Sequence, residues 1–260
     1  MNITKDDPDL NPEMNKPQNR VTHLAAGVPA EAGQLILKRR ARLVESILEK
    51  KGGHFLDFGC GNGAQTLLLA PLFTKCTGVD INEEYLEGFV QAIQNDPQFE
   101  AISALATDGR PVALPDASID VAASFTVLEH VPHEMAVLKD LHRLLKPGGQ
   151  LILSVPNRWW IFETHGADLP FLPWNRVPFV SWWPRVLHDR WARARIYRRA
   201  DIVKLVEEAG FEVNEVFHMT APMDMIPWTA VRNLVRKTIF RGDRTGSPFL
   251  ATEIFLVATR

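Results

Sequence analysis

The sequence predicts an α/β fold, a doubly wound and mostly parallel sheet with helices on both faces. Three observations carry this. Residues 55–58 read as a buried strand that runs into Gly59-Cys60-Gly61-Asn62-Gly63, and a helix-like segment, Ala64 to Ala70, follows. Downstream, strand-like and helix-like stretches alternate, which requires crossover connections and hence parallel pairing. Ile119 to Phe125 reads as an apolar strand of the kind buried on both faces.

The elements follow in order. Residues 1–29 are polar at the start, carry Pro8, Pro12 and Pro17, and read as a flexible tail ahead of one domain spanning 30–260. Leu35, Ile36, Leu43, Val44, Ile47 and Leu48 fall at helical spacing, and Gly52-Gly53 ends that helix. Thr77 to Asp80 is a short strand ending in an acid, and Asn82 is a good cap for a helix reaching about Asn95. Glu100 to Thr107 is the third strand and Ile119 to Phe125 the fourth. Pro132 opens a helix with Val137, Leu138, Leu141, Leu144 and Leu145 on its core face, and Lys146-Pro147-Gly148-Gly149 stops it. Leu151 to Val155, a helix over Ala200 to Ala209 closed by Gly210, and strands at Phe211 to Phe217 and Glu253 to Thr259 complete the pattern.

A chain of 260 residues is ample for one large core. A formal net charge of −2 argues against nucleic acid as a partner. With two cysteines, Cys60 and Cys76, and one of them inside the glycine loop, a disulfide framework is not expected. No apolar run is long enough to span a bilayer, and the acidic, proline-bearing start is no signal peptide. A cytoplasmic protein is the expectation.

The glycine loop brings bare backbone against a ligand, because no Cβ stands in the way. Its spacing is G-x-G-x-G, not the G-x-G-x-x-G of a dinucleotide site, and Asp57 stands two residues before the first glycine. Asp80, 21 residues after Gly59, ends the second strand, where an acid can accept hydrogen bonds from ribose hydroxyls. Asp108-Gly109 follows the third strand; it reads either as a contact to an adenine amino group or as an ordinary turn.

The loop resembles motif I of the class I S-adenosylmethionine-dependent methyltransferases, of the small-molecule, UbiE/UbiG-like kind. The run Ser118 to Val131 and the turn Leu144-Leu145-Lys146-Pro147-Gly148-Gly149-Gln150-Leu151 are similar to that family's fourth strand and the turn before its fifth. The resemblance covers residues 30–157 and resumes at 198–217. It implies a Rossmann-like methyltransferase fold of seven strands in the order 3-2-1-4-5-7-6, with strand seven antiparallel. It also implies S-adenosyl-L-methionine as cofactor. Asp57 would hold its amine, Gly59 and Gly61 would admit its methionyl and sugar parts, and Asp80 would hold the ribose. Ile81 would pack on the adenine, Asp108 and Gly109 would lie at its amino edge, and Phe125 would touch the sulfonium side.

Methyl transfer from a sulfonium mainly needs alignment in a dry site, and a base only where the acceptor is protonated. His130, in Leu128-Glu129-His130, is the candidate catalytic residue; the alternative is a histidine that only stabilises its loop. Some quinone and RNA methyltransferases of this fold bind Mg²⁺ through E-x-x-E-H at this place. Here Thr126 replaces the first glutamate, so no metal is expected.

Between the fifth strand and the next helix, residues 158–199 hold six of the seven tryptophans and a net charge of +5. This insertion reads as a lid over the acceptor, with Glu163-Thr164-His165 as candidate polar contacts to it. Its Trp/Arg composition suits peripheral contact with a membrane surface or an apolar, lipid-like acceptor. It equally fits a glycan or anionic acceptor, or a lid packed only on itself. Residues 219–250 form a second elaboration. A non-catalytic cofactor-binding subunit remains the functional alternative, and the oligomeric state is open.

Overall fold

The computed structural model describes residues 27–109, 111–165, 167–169, 172–174 and 178–260. Of the expected tail, only residues 27–29 fall within the described part.

Helix α1 (Leu35–Ile47) precedes β1 (His54–Phe58), which leads through the glycine loop into α2 (Ala64–Leu69). Then come β2 (Lys75–Asp80), α3 (Glu83–Gln94), β3 (Ile102–Ala106), β4 (Ile119–Phe125), α4 (Glu134–Leu144) and β5 (Leu145–Pro156). The insertion contributes a small hairpin, β6 (Ala167–Leu169) and β7 (Leu172–Trp174), and α5 (Arg185–Trp191). Helix α6 (Arg199–Glu208), β8 (Glu212–Thr220), α7 (Thr229–Thr238), β9 (Arg244–Thr245) and β10 (Ala251–Thr259) end the chain.

The main sheet runs β3-β2-β1-β4-β5-β10-β8-β9. Strands β1 to β5 pair in parallel, and β10 is antiparallel to both neighbours. With β8 and β10 as sixth and seventh strands, this is the expected order. The sheet has eight strands rather than seven, because β9 adds two residues to the edge of β8.

Two further expectations are corrected. The Lys146-Pro147-Gly148-Gly149 segment belongs to β5, since Gly148 donates to Arg260 O and Arg260 to Gly149 O, drawing the turn into the sheet. Helix α4 starts at Glu134, not at Pro132. Asn82 does cap α3, its Oδ1 accepting from Tyr85 N at 3.1 Å.

Alternate residues of the central strands feed two cores. Leu56, Ala122, Leu151, Leu153, Ile254 and Leu256 face α4 and α6, through Leu138, Leu141, Leu144, Ile202 and Val206. Phe55, Val121, Ala123, Ile152 and Phe255 face α1 to α3, through Leu43, Val44, Leu69, Leu86 and Phe89. Each Val, Leu, Ile and Phe side chain among them contributes about 1.5–3 kcal/mol on burial.

Helix α1 carries two adjacent buried arginines. Arg39 donates to Thr220 O, Ala221 O and Phe240 O at 2.5, 2.7 and 2.9 Å, tying α1 to the second elaboration. Arg40 pairs with Glu253 of β10 at 2.5 Å and also reaches Thr126 Oγ1 at 3.2 Å; Ser154 donates to the same glutamate. Removing one partner of a fully buried pair leaves the other charge uncompensated. Arg40→Met is expected to cost about 3–5 kcal/mol, read as a fall in Tm, and the double change Arg40→Met, Glu253→Leu to recover most of it.

Candidate functional site

The carboxyl ends of β1, β2, β3 and β4 meet at one edge of the sheet. Gly59, Gly61 and Gly63 all have positive φ, at 80°, 53° and 75°. A Cβ at Gly59 would stand 2.2 Å from Val127, and one at Gly63 would stand 2.0 Å from Phe89. The loop is therefore closed to any side chain at these positions.

Asp80 ties the loop to the next crossover. Its Oδ2 accepts from Gly61 N at 2.7 Å and its Oδ1 from Asn82 N at 2.9 Å. Its carbonyl accepts from Thr107 N at 3.0 Å, which places Asp108 and Gly109 one step beyond. Asp108 and Ile81 are exposed at this edge. Asp57 is buried at the end of β1 and accepts from Thr66 Oγ1 at 2.7 Å. Burial, opposed by the Thr66 hydrogen bond and Arg40 and aided by the charge of Asp80, pushes its pKa up from 3.8 to about 6. A buried carboxylate short of positive charge is the counterpart an ammonium group would supply.

Two residues are not where the sequence suggests. Pro29 lies over Gly61, since a Cβ there would be 2.7 Å from its ring, so the end of the expected tail covers the glycine loop. Phe125 is turned into the second core, its ring 6.1 Å from Phe255 and beneath the Arg40 guanidinium.

His130 sits in a polar cluster built from two distant segments. Glu129 is fully buried, and His165 of the insertion reaches it with Nε2 at 3.3 Å from Oε1. The His165 ring stands edge-on to His130 at 4.8 Å, and a Cβ at Gly27 would meet the His130 ring at 3.3 Å. Burial raises the pKa of Glu129 well above the carboxylate range. Burial, with His130 and Arg40 nearby, lowers that of His165 to about 3. Thr126, just after β4, has φ 54°, costly for a β-branched residue, and its N–H donates to Ser154 O at 2.8 Å.

Donor atoms of Glu129, His130 and His165 lie within 4.8 Å of one another, close enough to share one ion. Two imidazoles and one carboxylate suit a transition ion better than Mg²⁺, which prefers oxygen. Glu134, the other acid of this loop, accepts from Tyr197 Oη at 2.5 Å and pairs with Arg195 at 3.4 Å. Arg195 also donates to Val131 O and Pro132 O, so the far end of the insertion is bolted to the loop after β4.

Sequence reasoning missed Arg40 and Glu253, and treated His165 as one of several polar groups in the lid. It did not foresee a second trio, in which His188 and Glu163 are buried and Asp189 is half-buried. His188 Nε2 is 2.8 Å from Glu163 Oε2, and Nδ1 is 3.2 Å from Asp189 Oδ1. Only the Glu163-Thr164-His165 run gave any signal.

A mostly parallel sheet with a bare glycine loop at its carboxyl edge is the arrangement that the resemblance to class I methyltransferases implies. A family model described as a methyltransferase domain matches residues 30–216. A protein of Mycolicibacterium smegmatis named as a probable S-adenosylmethionine-dependent methyltransferase is 30% identical over 196 residues, 74% of this chain and 66% of that one. A ubiquinone biosynthesis O-methyltransferase of Pseudomonas aeruginosa is 30% identical over 178 residues, 65% of this chain and 68% of that one. The chain thus spans about two thirds of the length of these relatives. The solved geranyl diphosphate C-methyltransferase of Streptomyces coelicolor, in complex with Mg²⁺, geranyl diphosphate and S-adenosyl-L-homocysteine, superposes with a TM-score of 0.60 at 12% identity. It covers 86% of this chain and 77% of its own, and shares the fold. This chain belongs to the S-adenosylmethionine-dependent methyltransferases, and S-adenosyl-L-methionine is its cofactor.

To hold the cofactor's amine, as the resemblance implies, Asp57 would have to be ionised, and below about pH 6 it must first lose a proton. Affinity for S-adenosylhomocysteine is therefore expected to rise by up to about tenfold per pH unit approaching pH 6 and then level off. Calorimetry across pH checks this; Asp57→Asn should flatten the profile and weaken binding.

Burial disfavours the charged form of His188, but hydrogen bonds to Asp189 and Glu163 and their charges outweigh it and raise the pKa. The stability this contributes is fully present below about pH 6.5 and is lost as pH rises through the raised value. Proteolytic cleavage within 158–199 should quicken with rising pH, and His188→Gln should remove that dependence.

Proposed function

We propose that this methyltransferase acts on a small apolar, lipid-like acceptor held beneath the insertion, with His130 at the accepting atom and Glu129 and His165 positioning it. The observation that carries this reading is the meeting of His165 with Glu129 and His130 at the carboxyl end of β4. An element rich in tryptophan thereby closes over the strand ends where the cofactor loop lies. The name of the Pseudomonas relative, an O-methyltransferase of ubiquinone biosynthesis, favours the same acceptor class.

The cofactor supplies a methyl group already activated on a positively charged sulfur. The protein's part is to align the acceptor, exclude water and, for a hydroxyl acceptor, take up a proton. His130 is the group for that proton. His165 stands edge-on to the His130 ring at 4.8 Å and lies 3.3 Å from Glu129 Oε1, so these two residues hold the ring in place rather than act as bases. Arg40, paired with Glu253, keeps positive charge close to this cluster without presenting it to a substrate.

The test is to incubate the full chain with methyl-labelled cofactor and host extract and to follow the label. Label in an organic-extractable product is the expected result. Label in a water-soluble anion or glycan would replace the acceptor class, and no product with intact cofactor binding would favour a non-catalytic subunit. His130→Ala should lower kcat by about 10²–10⁴-fold with S-adenosylhomocysteine affinity unchanged. Turnover should survive exhaustive chelation; loss restored by Mn²⁺ or Zn²⁺ would recast Glu129, His130 and His165 as ligands.

A further inference from the structure

Helix α7 presents its apolar side to solvent. Trp228, Val231 and Leu234 fall three residues apart and are 70%, 47% and 62% exposed, and Ile239 is exposed beyond them. Its arginines turn the other way. Arg232 donates to Ile226 O at 3.1 Å, and Arg236 to Pro222 O at 2.7 Å and Asp224 at 2.6 Å. A helix made for water would show the reverse arrangement. Lys237 and Arg241 stay exposed at its end.

The insertion shows a second apolar surface. Trp159, Phe179, Trp182 and Phe249 are all exposed, with ring centroids 5.2–6.0 Å apart in edge-to-face contacts. Both surfaces grow from one small core, in which Trp160 and Phe162 of the insertion pack with Val235, Phe240 and Leu250 of the second elaboration. Trp160 follows Trp159 and Leu250 follows Phe249, so the two surfaces share their foundation.

Charge selects the occupant. Residues 158–199 carry +5 and residues 219–244 carry +3 in a chain whose net charge is −2, leaving −10 on the rest. Two copies meeting through this face would oppose like charges. No described helix is long and apolar enough to cross a membrane. Exposed tryptophans flanked by basic residues match the interface of an anionic bilayer.

We infer that α7 and the Trp159–Phe249 aromatic cluster form a docking surface for an anionic phospholipid membrane. This goes beyond the acceptor reading and does not require it, because vesicle binding is measured without turnover.

Flotation of the full chain with phosphatidylcholine vesicles, alone or containing phosphatidylglycerol, tests it. Binding to the anionic vesicles, weakened by salt and scant on the neutral ones, is expected. Trp228→Ser, Val231→Ser and Leu234→Ser together should reduce binding at least about tenfold, with S-adenosylhomocysteine affinity retained. The surface change Lys237→Glu, Arg241→Glu, which touches no packed residue, should abolish the preference for anionic lipid. Absence of vesicle binding, equal binding to both compositions, or wild-type binding by both variants would overturn the inference. So would a dimer in sedimentation that the serine variant dissolves, since the stripe would then face a second copy.

Discussion

Close approach of side chains to bare backbone holds the working edge of this molecule together. Val127, Pro29 and Phe89 occupy the spaces that Cβ atoms at Gly59, Gly61 and Gly63 would need. Because the loop can tighten to that degree, the Gly61 amide reaches the Asp80 carboxylate, and the ends of β1 and β2 close into one unit. Thr107 then joins the third strand to the same acid through its carbonyl. A single alanine at Gly59 would meet Val127 and push the loop from the strand after which His130 stands. The glycine loop and the segment after β4 are thus coupled by sterics.

What was legible in the sequence was what local pattern encodes. Alternation of strand and helix gave the parallel core, and the β1 loop, Asp57, Asp80 and Asp108 fell at strand ends as their positions in the alternation require. What was not legible depends on contacts between distant segments. Arg40 and Glu253 are 213 residues apart, and two adjacent arginines on a helix give no periodic signal that both are buried. His165 belongs to a stretch broken by prolines, so nothing in its spacing showed that it would return to Glu129. Phe125 shows the limit of position alone. Its place at the end of β4 is right for the site, but alternation along the strand points the ring into the core beside Phe255. The Lys146-Pro147-Gly148-Gly149 turn was read from local propensity, whereas Arg260, at the opposite end of the chain, draws it into β5.

Beneath the site, ionisable groups divide into those with a partner inside the protein and those without. Arg40 has Glu253, and Arg195 and Tyr197 have Glu134. Asp57 and Glu129 have no such compensation, and burial raises both pKa values. These two carboxyls flank the region between the glycine loop and His130. A shift of about two units at Asp57 corresponds to ~3 kcal/mol withheld from the charged form. An incoming cation relieves that penalty, whereas a neutral ligand of the same shape does not.

The same logic extends to the two elaborations. Both are basic, both are rooted in the Trp160 core, and one of them delivers His165 to Glu129. Arg39 fixes the second elaboration to α1 through three carbonyls, one residue before Arg40 engages the strand ends. The outer apolar surface is therefore joined through the Trp160 core to Ala221 and Phe240, whose carbonyls Arg39 holds, and through the next residue, Arg40, to Glu253 and Thr126.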